Sequence, residues 1–298
     1  MNAAEQSEAG HAFAATPNLP DGCVVHLPGR GDTFVYDVAA TLPGAPTLVL
    51  LHGWTVTAAL NFHEALLPLA EKTGARVIGM DQRGHGRGIK PRALFRLDDC
   101  ADDVGALIDV LALERVIVVG YSMGGAVAQL TAKRHPGKVM GAIFCATTCY
   151  FGQEKKSAQT KVWDVVMPAV ATGLTLMPPS ARQAVLGRFL MIRRGESVPE
   201  WMKSEIRNSD PAMLTQAGIV IGRFDARPWL KDLTLPAAVV KTLRDQTVLP
   251  RRQQVLIDNL PNVTVHECDA DHRAAVSSAP LFVKTLSAAV ASVQRRAR

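Results

Sequence analysis

The 298 residues, of which 48% are hydrophobic, have an ordinary globular composition and are enough for one large domain with a sizeable core. The formal net charge of +6 comes from scattered lysines and arginines that cluster only at residues 295–298. No basic stretch studded with aromatic residues accompanies them, which argues against a nucleic-acid partner. No apolar stretch approaches the roughly 20 residues that cross a bilayer, so we expect no transmembrane segment.

Residues 1–20 are predicted to form a loose N-terminal arm. They lack the basic start and apolar core of a signal peptide, which favours a cytoplasmic location. The five cysteines are odd in number and match no disulfide or zinc spacing, which is easier to reconcile with a reducing compartment. Cys145 and Cys149 follow an apolar run and are predicted to be buried thiols.

Apolar runs that alternate with helical patterns predict a parallel sheet in the first part of the chain. Residues 23–27 and 33–38 are typical of an opening hairpin. Thr47–Leu51 and Arg76–Met80 are the next two predicted strands, and residues 62–70 between them carry apolar side chains at helical spacing. Strand, helix and strand in succession indicate parallel strands joined by crossover helices.

Residues 98–111 have the apolar spacing of a helix, and acidic residues fill its first turns. We interpret those acids as a helix N-terminus that the macrodipole favours. They are Asp98, Asp99, Asp102 and Asp103.

A sharp strand-to-helix turn is predicted at residues 115–125. The β-branched run 116–119 suits a central strand buried on both faces, and the next five residues, 120–124, fit the pattern G-x-S-x-G. Gly120 and Gly124 remove Cβ atoms that would collide at the corner. Ser122 is therefore the predicted nucleophile, exposed at a helix N-terminus, and the N–H of Met123 points the same way to stabilise an oxyanion.

The alternation of predicted strands and helices stops between residues 150 and 225. Strand signals are lacking there, and helical stretches interrupted by prolines take their place. These stretches cover residues 161–172, 180–192, 199–208 and 211–221. We predict a helical cap at 150–225 on a core formed by 21–149 and 226–298. Side chains predicted to line an apolar substrate pocket are Tyr121 at the elbow and Trp163, Met167, Leu176, Met177 and Phe189 in the cap. The alternative is that the cap residues pack only against one another.

Two late strands end in residues that complete a catalytic serine site. Serine is a weak nucleophile and needs a histidine base that a carboxylate orients, in the chain order Ser, Asp, His. Asp245 follows the predicted strand 237–241, and His272 follows the predicted strand 263–266. Asp245 is therefore the predicted acid and His272 the predicted base.

Other groups compete for these roles. His52 and His85 lie on loops at the same end of the sheet but precede the serine. The competing acids are Asp225, Asp269 and Asp271. A further alternative is a metal cluster of His266, Cys268, Asp269, Asp271 and His272. Those residues have no recognised ligand spacing, so no metal site is expected.

A second oxyanion donor is expected in the loop after Thr47–Leu51, where the backbone N–H of Trp54 is suitably placed. His52 is expected to brace this loop through hydrogen bonds, and Gly53 to permit a tight approach. The neighbouring loop is predicted to be fixed by Asp81, Arg83 and His85.

These motifs together resemble the α/β-hydrolase superfamily, and more narrowly its capped esterase, lipase and thioesterase-like members. The resemblance is carried by residues 52–54, 81–86 and 120–125 with Asp245 and His272, and it extends from Cys23 to the C-terminus. It implies a mostly parallel eight-stranded sheet flanked by helices, a helical cap inserted after the sixth strand, and no cofactor. It also implies the roles of nucleophile, acid and base, with oxyanion donors, for Ser122, Asp245, His272, Trp54 and Met123. A serine at the elbow argues against haloalkane dehalogenases and epoxide hydrolases, whose family nucleophile is aspartate.

The expected activity is hydrolysis of a carboxylic ester of a largely apolar small acyl substrate through an acyl-enzyme. The same triad would also serve thioester, lactone or carbon–carbon bond cleavage, or cofactor-free peroxidation. Two further alternatives are a catalytically dead ligand receptor and lipolysis at a membrane surface. The sequence leaves the physiological substrate and the oligomeric state open.

Overall fold

The computed structural model describes residues 17–91, 93–152, 158–178, 180–182, 184–185 and 199–297. The strands are β1 (Gly22–Leu27), β2 (Gly31–Val38), β3 (Thr47–Leu51), β4 (Arg76–Met80), β5 (Val116–Tyr121), β6 (Val139–Cys145), β7 (Ala237–Thr242) and β8 (Val263–Cys268). The helices are α1 (Ala58–Phe62), α2 (Leu66–Thr73), α3 (Leu97–Val110), α4 (Met123–Arg134), α5 (Ala158–Leu176), α6 (Glu200–Arg207), α7 (Pro211–Ile221), α8 (Pro250–Asn259), α9 (Ala274–Ser277) and α10 (Ala279–Arg296), with a 3₁₀ helix at Leu230–Asp232.

The eight described strands form one sheet in the order β1–β2–β4–β3–β5–β6–β7–β8. β2 pairs antiparallel with β1 and with β4, and every other neighbouring pair is parallel. This confirms the prediction of a mostly parallel eight-stranded sheet. Because parallel strands point the same way, the loops after β3, β5, β7 and β8 emerge along one edge.

Helices cover both faces of the sheet, and β5 shows how the two layers divide. Val116 and Val118 point into the layer that contains α3, α4 and α8. Ile117 and Val119 point into the layer that contains α1, α2 and α10. All four side chains are fully buried. The β-branched run therefore forms a central strand with no polar face, as its sequence predicts.

The segment between β6 and β7 contains α5, α6 and α7. The predicted helical stretches 161–172, 199–208 and 211–221 correspond to these three helices, whereas most of the predicted stretch 180–192 lies outside the described residues. The two ends of the segment meet. The N–H of Ala226 donates to the carbonyl of Cys149 at 2.7 Å, and Tyr150 forms an antiparallel bridge with Asp225.

The structure also describes two of the cysteines and the apolar character of the helices. Cys145 and Cys149 are buried free thiols, as predicted. Within the described part of the chain, no helix is both long and apolar enough to cross a membrane.

Candidate active site

Ser122 lies at a strained corner between β5 and α4. Its φ of 53° and ψ of −115° belong to a region that costs a non-glycine residue about 1–3 kcal/mol. A Cβ on Gly120 would overlap the carbonyl of Gly124, and a Cβ on Gly124 would overlap the carbonyl of Leu51. The two glycines of the motif are therefore required by space, and they permit the turn that exposes the serine.

Backbone bonds hold the corner in place. The N–H of Ser122 donates to the carbonyl of Cys145 at 3.0 Å, and the carbonyl of Ser122 accepts from the N–H of Gly125 at 2.9 Å. The hydroxyl of Thr147 donates to the same carbonyl at 2.7 Å. The end of β6 and the loop that follows it thus stabilise the strained backbone conformation of Ser122.

The structure brings the predicted nucleophile, base and acid into one line of contacts. His272 Nε2 lies 3.1 Å from Ser122 Oγ, and His272 Nδ1 lies 2.7 Å from Asp245 Oδ2. A carboxylate can only accept, so Nδ1–H is the donor and the lone pair of Nε2 is left to accept from the serine hydroxyl. The network therefore selects the tautomer that general-base catalysis requires.

Asp245 is fully buried and its oxygens are saturated with donors. Oδ1 accepts the N–H groups of Thr247 and Val248, each at 2.8 Å. Oδ2 accepts the hydroxyl of Thr242 at 2.9 Å in addition to His272. This set of donors fixes the carboxylate in the orientation that holds the imidazole.

Tyr121 lies beneath the site, a position that its assignment to the substrate pocket did not anticipate. It is 3% exposed, and its hydroxyl donates to the backbone carbonyl of His272 at 2.8 Å. Its ring packs edge-on against His272 and Phe282. Burial raises the pKa of Tyr121 well above its usual range, so the hydroxyl remains a donor. Tyr121 therefore anchors the loop that carries the imidazole.

The two expected oxyanion donors stand at the ends of neighbouring elements. Met123 is the first residue of α4, so its N–H has no acceptor within that helix. Gly53 faces the nucleophile, because a Cβ built on it would lie 3.5 Å from Ser122 Cβ. Gly53 N–H donates to Asn61 Oδ1 at 2.8 Å, which holds the loop immediately before Trp54. The roles of the Trp54 and Met123 N–H groups remain predictions.

His52 braces this loop, as its position in the sequence suggested. Its Nδ1–H donates to the carbonyl of Gly53 at 2.8 Å, and its Nε2 accepts the N–H of Gln82 at 2.9 Å. Complete burial lowers the pKa of His52 to about 4, so the ring is neutral near pH 7. With both ring nitrogens engaged, His52 does not compete with His272 as a base.

The neighbouring loop after β4 is also held by buried polar groups. Asp81 accepts the N–H groups of Ala58 and Arg87, and burial raises its pKa. His85 Nδ1 donates to the carbonyl of Arg83 at 2.9 Å, and burial lowers the pKa of His85 to about 3. These groups are structural supports of the loop.

Asp103 corrects the interpretation of the acidic helix start. Its side chain is buried and accepts two bonds from Arg83, at 2.9 and 2.7 Å, and another from Arg30. The macrodipole argument holds for Asp98 and Asp99, which lie in the first turn of α3. It fails for Asp103, whose role is to pair with two arginines from other elements.

The remaining competitors serve elsewhere. Asp225 pairs with Arg227, and Asp269 pairs with Arg244 in solvent. The carboxylate of Asp271 accepts the N–H of Arg273 at 2.8 Å. Among the described residues, no three His, Cys, Asp or Glu side chains converge as metal ligands.

Four of the predicted pocket residues of the cap, Trp163, Met167, Leu176 and Met177, belong to α5 or directly follow it. Met167 is half-buried, while Leu176 and Met177 are 81% and 41% exposed. Trp163 belongs to α5, but its side chain is outside the described residues, as is the whole of Phe189. Their place in a substrate pocket remains a prediction.

Sequence reasoning missed two supports of the site. Asn61 accepts from Gly53, and Thr147 donates to Ser122. Asn61 carried a usable signal, because it is the one polar residue in the short apolar helix α1. Thr147 carried none, since a threonine after a strand is common.

Comparison with known proteins identifies the fold family. Residues 46–274 match the model of the alpha/beta hydrolase fold family. The chain is 30% identical over 207 residues to a 2-(acetamidomethylene)succinate hydrolase of Mesorhizobium japonicum, which covers 66% of this chain and 70% of that protein. It is 38% identical over 104 residues to the AB hydrolase superfamily protein YisY of Bacillus subtilis, a match that spans 35% of this chain and only 37% of the relative.

A solved structure shows the same fold. The esterase from Exiguobacterium antarcticum superposes with a TM-score of 0.72 at 22% identity, covering 91% of this chain and all of that chain (100%). At this identity the likeness concerns the architecture alone.

Proposed function

The chain belongs to the alpha/beta hydrolase fold family, and from that premise we propose that it is a serine hydrolase that cleaves carboxylic esters through an acyl-enzyme. The observation that carries the proposal is the continuous contact from Asp245 through His272 to Ser122, with distances of 2.7 and 3.1 Å. A binding protein would have no need of this arrangement.

The proposed mechanism begins with transfer of the Ser122 proton to Nε2 of His272 as Oγ attacks the acyl carbon. The negative charge that forms on the substrate oxygen is held by the N–H groups of Trp54 and Met123, each worth about 10²–10³ in rate. The tetrahedral intermediate collapses, and His272 delivers its proton to the departing alcohol. Water then gives a proton to His272 and attacks the acyl carbon. The second tetrahedral intermediate collapses with cleavage of its bond to Ser122 Oγ, His272 returns the proton to Oγ, and the carboxylic acid is released.

The electrostatics favour these steps. Protonated His272 forms beside the buried carboxylate of Asp245, which therefore stabilises the imidazolium in a water-poor position. The corner at Ser122 fixes the nucleophile before substrate arrives, so little reorganisation accompanies attack.

We propose that residues 150–225 act as a cap and that the acyl or alcohol group they enclose is largely apolar. Support comes from α5, whose sequence is rich in Val and Ala and which lies between β6 and β7. The pocket-lining roles proposed for Met167, Leu176 and Met177 belong to this part of the hypothesis.

The test compares wild type with Ser122→Ala on p-nitrophenyl esters of increasing acyl length, with a thioester and a lactone alongside. Ser287→Ala is the matched control, because its hydroxyl donates to the carbonyl of Val283 within α10. We expect Ser122→Ala to lose at least 10³-fold in kcat and the control to retain activity. Equal turnover by wild type and Ser122→Ala would end the proposal.

A fluorophosphonate probe separates enzyme from receptor without knowledge of the substrate. The reagent phosphonylates only an activated serine, so wild type should label at Ser122 and Ser122→Ala should not. An unlabelled wild type would instead favour a catalytically dead binding protein. If the enzyme prefers the lactone or the thioester over every ester, the same residues would be assigned cleavage of that bond instead.

A further inference from the structure

The indole of Trp54 is held by helix α7, although Trp54 itself belongs to the loop after β3. Its Nε1–H donates to the carbonyl of Leu214 at 2.8 Å, and the two residues are 160 positions apart. Leu214 is in α7, so this carbonyl also faces the N–H one turn later along the helix. A 45%-exposed loop residue is thus tied to a helix of the segment between β6 and β7.

Gly218, one turn further along α7, leaves space for the same ring. A Cβ built on Gly218 would lie 2.6 Å from Cζ2 and 3.1 Å from Cη2 of Trp54. Gly218 is not among the glycines with positive φ, so the helix backbone does not require glycine. Glycine inside a helix costs about 0.5–1 kcal/mol relative to alanine. The close approach of the indole is the physical reason for this glycine.

Helix α7 is itself fixed to the core, so it can serve as a support. The N–H of Asp210 donates to the carbonyl of Gly84 at 3.0 Å, and the hydroxyl of Ser209 accepts the N–H of Gly86 at 2.9 Å. The carboxylate of Asp210 caps the helix by accepting from Ala212 at 2.9 Å. The N-terminus of α7 is therefore docked on the loop after β4.

The backbone on either side of Trp54 is constrained within the loop itself. Asn61 holds Gly53 on one side, and Thr55 turns the chain with a φ of 65° on the other. The peptide N–H of Trp54 lies between these two points. The indole adds an attachment outside the loop, through its bond to Leu214.

We propose that the side chain of Trp54 is a positioning residue: α7 holds the indole, and the indole holds the Trp54 N–H beside Ser122 to receive the oxyanion. This inference rests on the proposed function. Its consequence is that a side chain added at Gly218, which touches no reacting atom, lowers the rate of the chemical step. A displacement of about 1 Å in a catalytic group can cost about 10²-fold.

The first test is Gly218→Ala, with Gly137→Ala as the matched control. Gly137 lies in the turn after α4, outside the proposed cap, and a Cβ there would meet nothing within 4 Å. Displacement of the ring by the methyl group added at position 218 should lower kcat on an activated ester at least tenfold and change KM less than threefold. Alanine favours the helix, so the melting temperature should not fall enough to explain the loss. The control should retain wild-type kcat.

The second test is a double-mutant cycle with Trp54→Phe. Phenylalanine removes the Nε1 donor and the ring atoms that the methyl group of Gly218→Ala would contact, so Trp54→Phe should also lower kcat about tenfold. Adding Gly218→Ala to it should then cost nothing more. Fluorophosphonate labelling should also be slower in each of these variants than in wild type, because phosphonylation uses the same oxyanion donors.

The outcomes separate the two proposals. Wild-type kcat in Gly218→Ala, or additive losses in the double variant, would overturn the role of the indole while Ser122→Ala remained inactive. Equal activity of wild type and Ser122→Ala would instead remove the proposed function on which the inference rests.

Discussion

His272 Nε2 lies 3.1 Å from Ser122 Oγ, although 150 positions of the chain separate the two residues. The serine stands at the end of β5, and the imidazole stands on the loop after β8, at the same edge of the sheet. A proton can pass between these atoms without rearrangement of either loop. Each contact around the pair leads to a measurable consequence.

Replacing Asp245 with asparagine should abolish most activity while the protein stays folded. The asparagine oxygen can still accept from Thr247 and Val248, but its amide would face Nδ1 of His272. The imidazole then carries its proton on Nε2 and cannot accept from Ser122, so kcat should fall about 10⁴-fold. Steady-state kinetics and a melting curve check this. Asp269→Asn is the control, because Asp269 is an exposed acid in the loop between β8 and His272. Full activity of Asp245→Asn would place the acid elsewhere.

Removing the hydroxyl of Tyr121 should weaken the positioning of His272 rather than alter the substrate pocket. Tyr121→Phe deletes the bond to the carbonyl of His272 and leaves that carbonyl without this donor. We expect kcat to fall about three- to thirty-fold with little change in KM, and stability to fall by about 1 kcal/mol. A KM that rises while kcat stays constant would instead support the pocket role that the sequence suggested.

The elbow glycines should be intolerant of a single methyl group. A Cβ at Gly124 would overlap the carbonyls of Leu51 and His52, which are backbone atoms that cannot move independently. Gly124→Ala should therefore lose more than about 3 kcal/mol in the free energy of unfolding, or fail to fold. Gly137→Ala is the control, since nothing lies within 4 Å of a Cβ there. Urea denaturation measures both, and equal stability of the two variants would contradict the packing of the corner.

Two buried histidines should make the protein sensitive to acid. Burial lowers the pKa of His52 to about 4 and that of His85 to about 3, from 6.5 in the unfolded chain. Between pH 6.5 and about 4 the unfolded chain binds protons that the folded chain does not. Stability should therefore fall as pH falls through this range, by up to about 1.4 kcal/mol per pH unit for each histidine.

His85→Asn isolates this effect from other titrations. The asparagine amide can keep the donation to the carbonyl of Arg83 but cannot titrate. Burial raises the pKa of Asp81 and Glu205, which acts in the opposite direction and is common to both proteins. The difference in slope between wild type and His85→Asn, from urea midpoints at several pH values, measures the histidine alone. Parallel slopes would show that His85 is protonated in the folded state.

The central strand and the corner at Ser122 could be predicted because their signals are local. The β-branched run 116–119 and the glycines on either side of Ser122 lie within a few residues of one another, and each restricts the backbone directly. The bounds of β3 and β4 were predicted to the residue, since in each strand one polar residue is followed by four residues without a polar side chain. Asp245 and His272 could be selected because parallel strands deliver the residues after them to one edge.

The sequence by itself therefore determined the fold, the corner at Ser122 and the candidates for base and acid. Only the tertiary structure decided that Tyr121 supports His272, that Asp103 pairs with Arg83, and that Gly218 makes room for Trp54. These contacts join elements that meet only when helices pack on the sheet. Their distances depend on packing between surfaces, and no spacing along the chain encodes that.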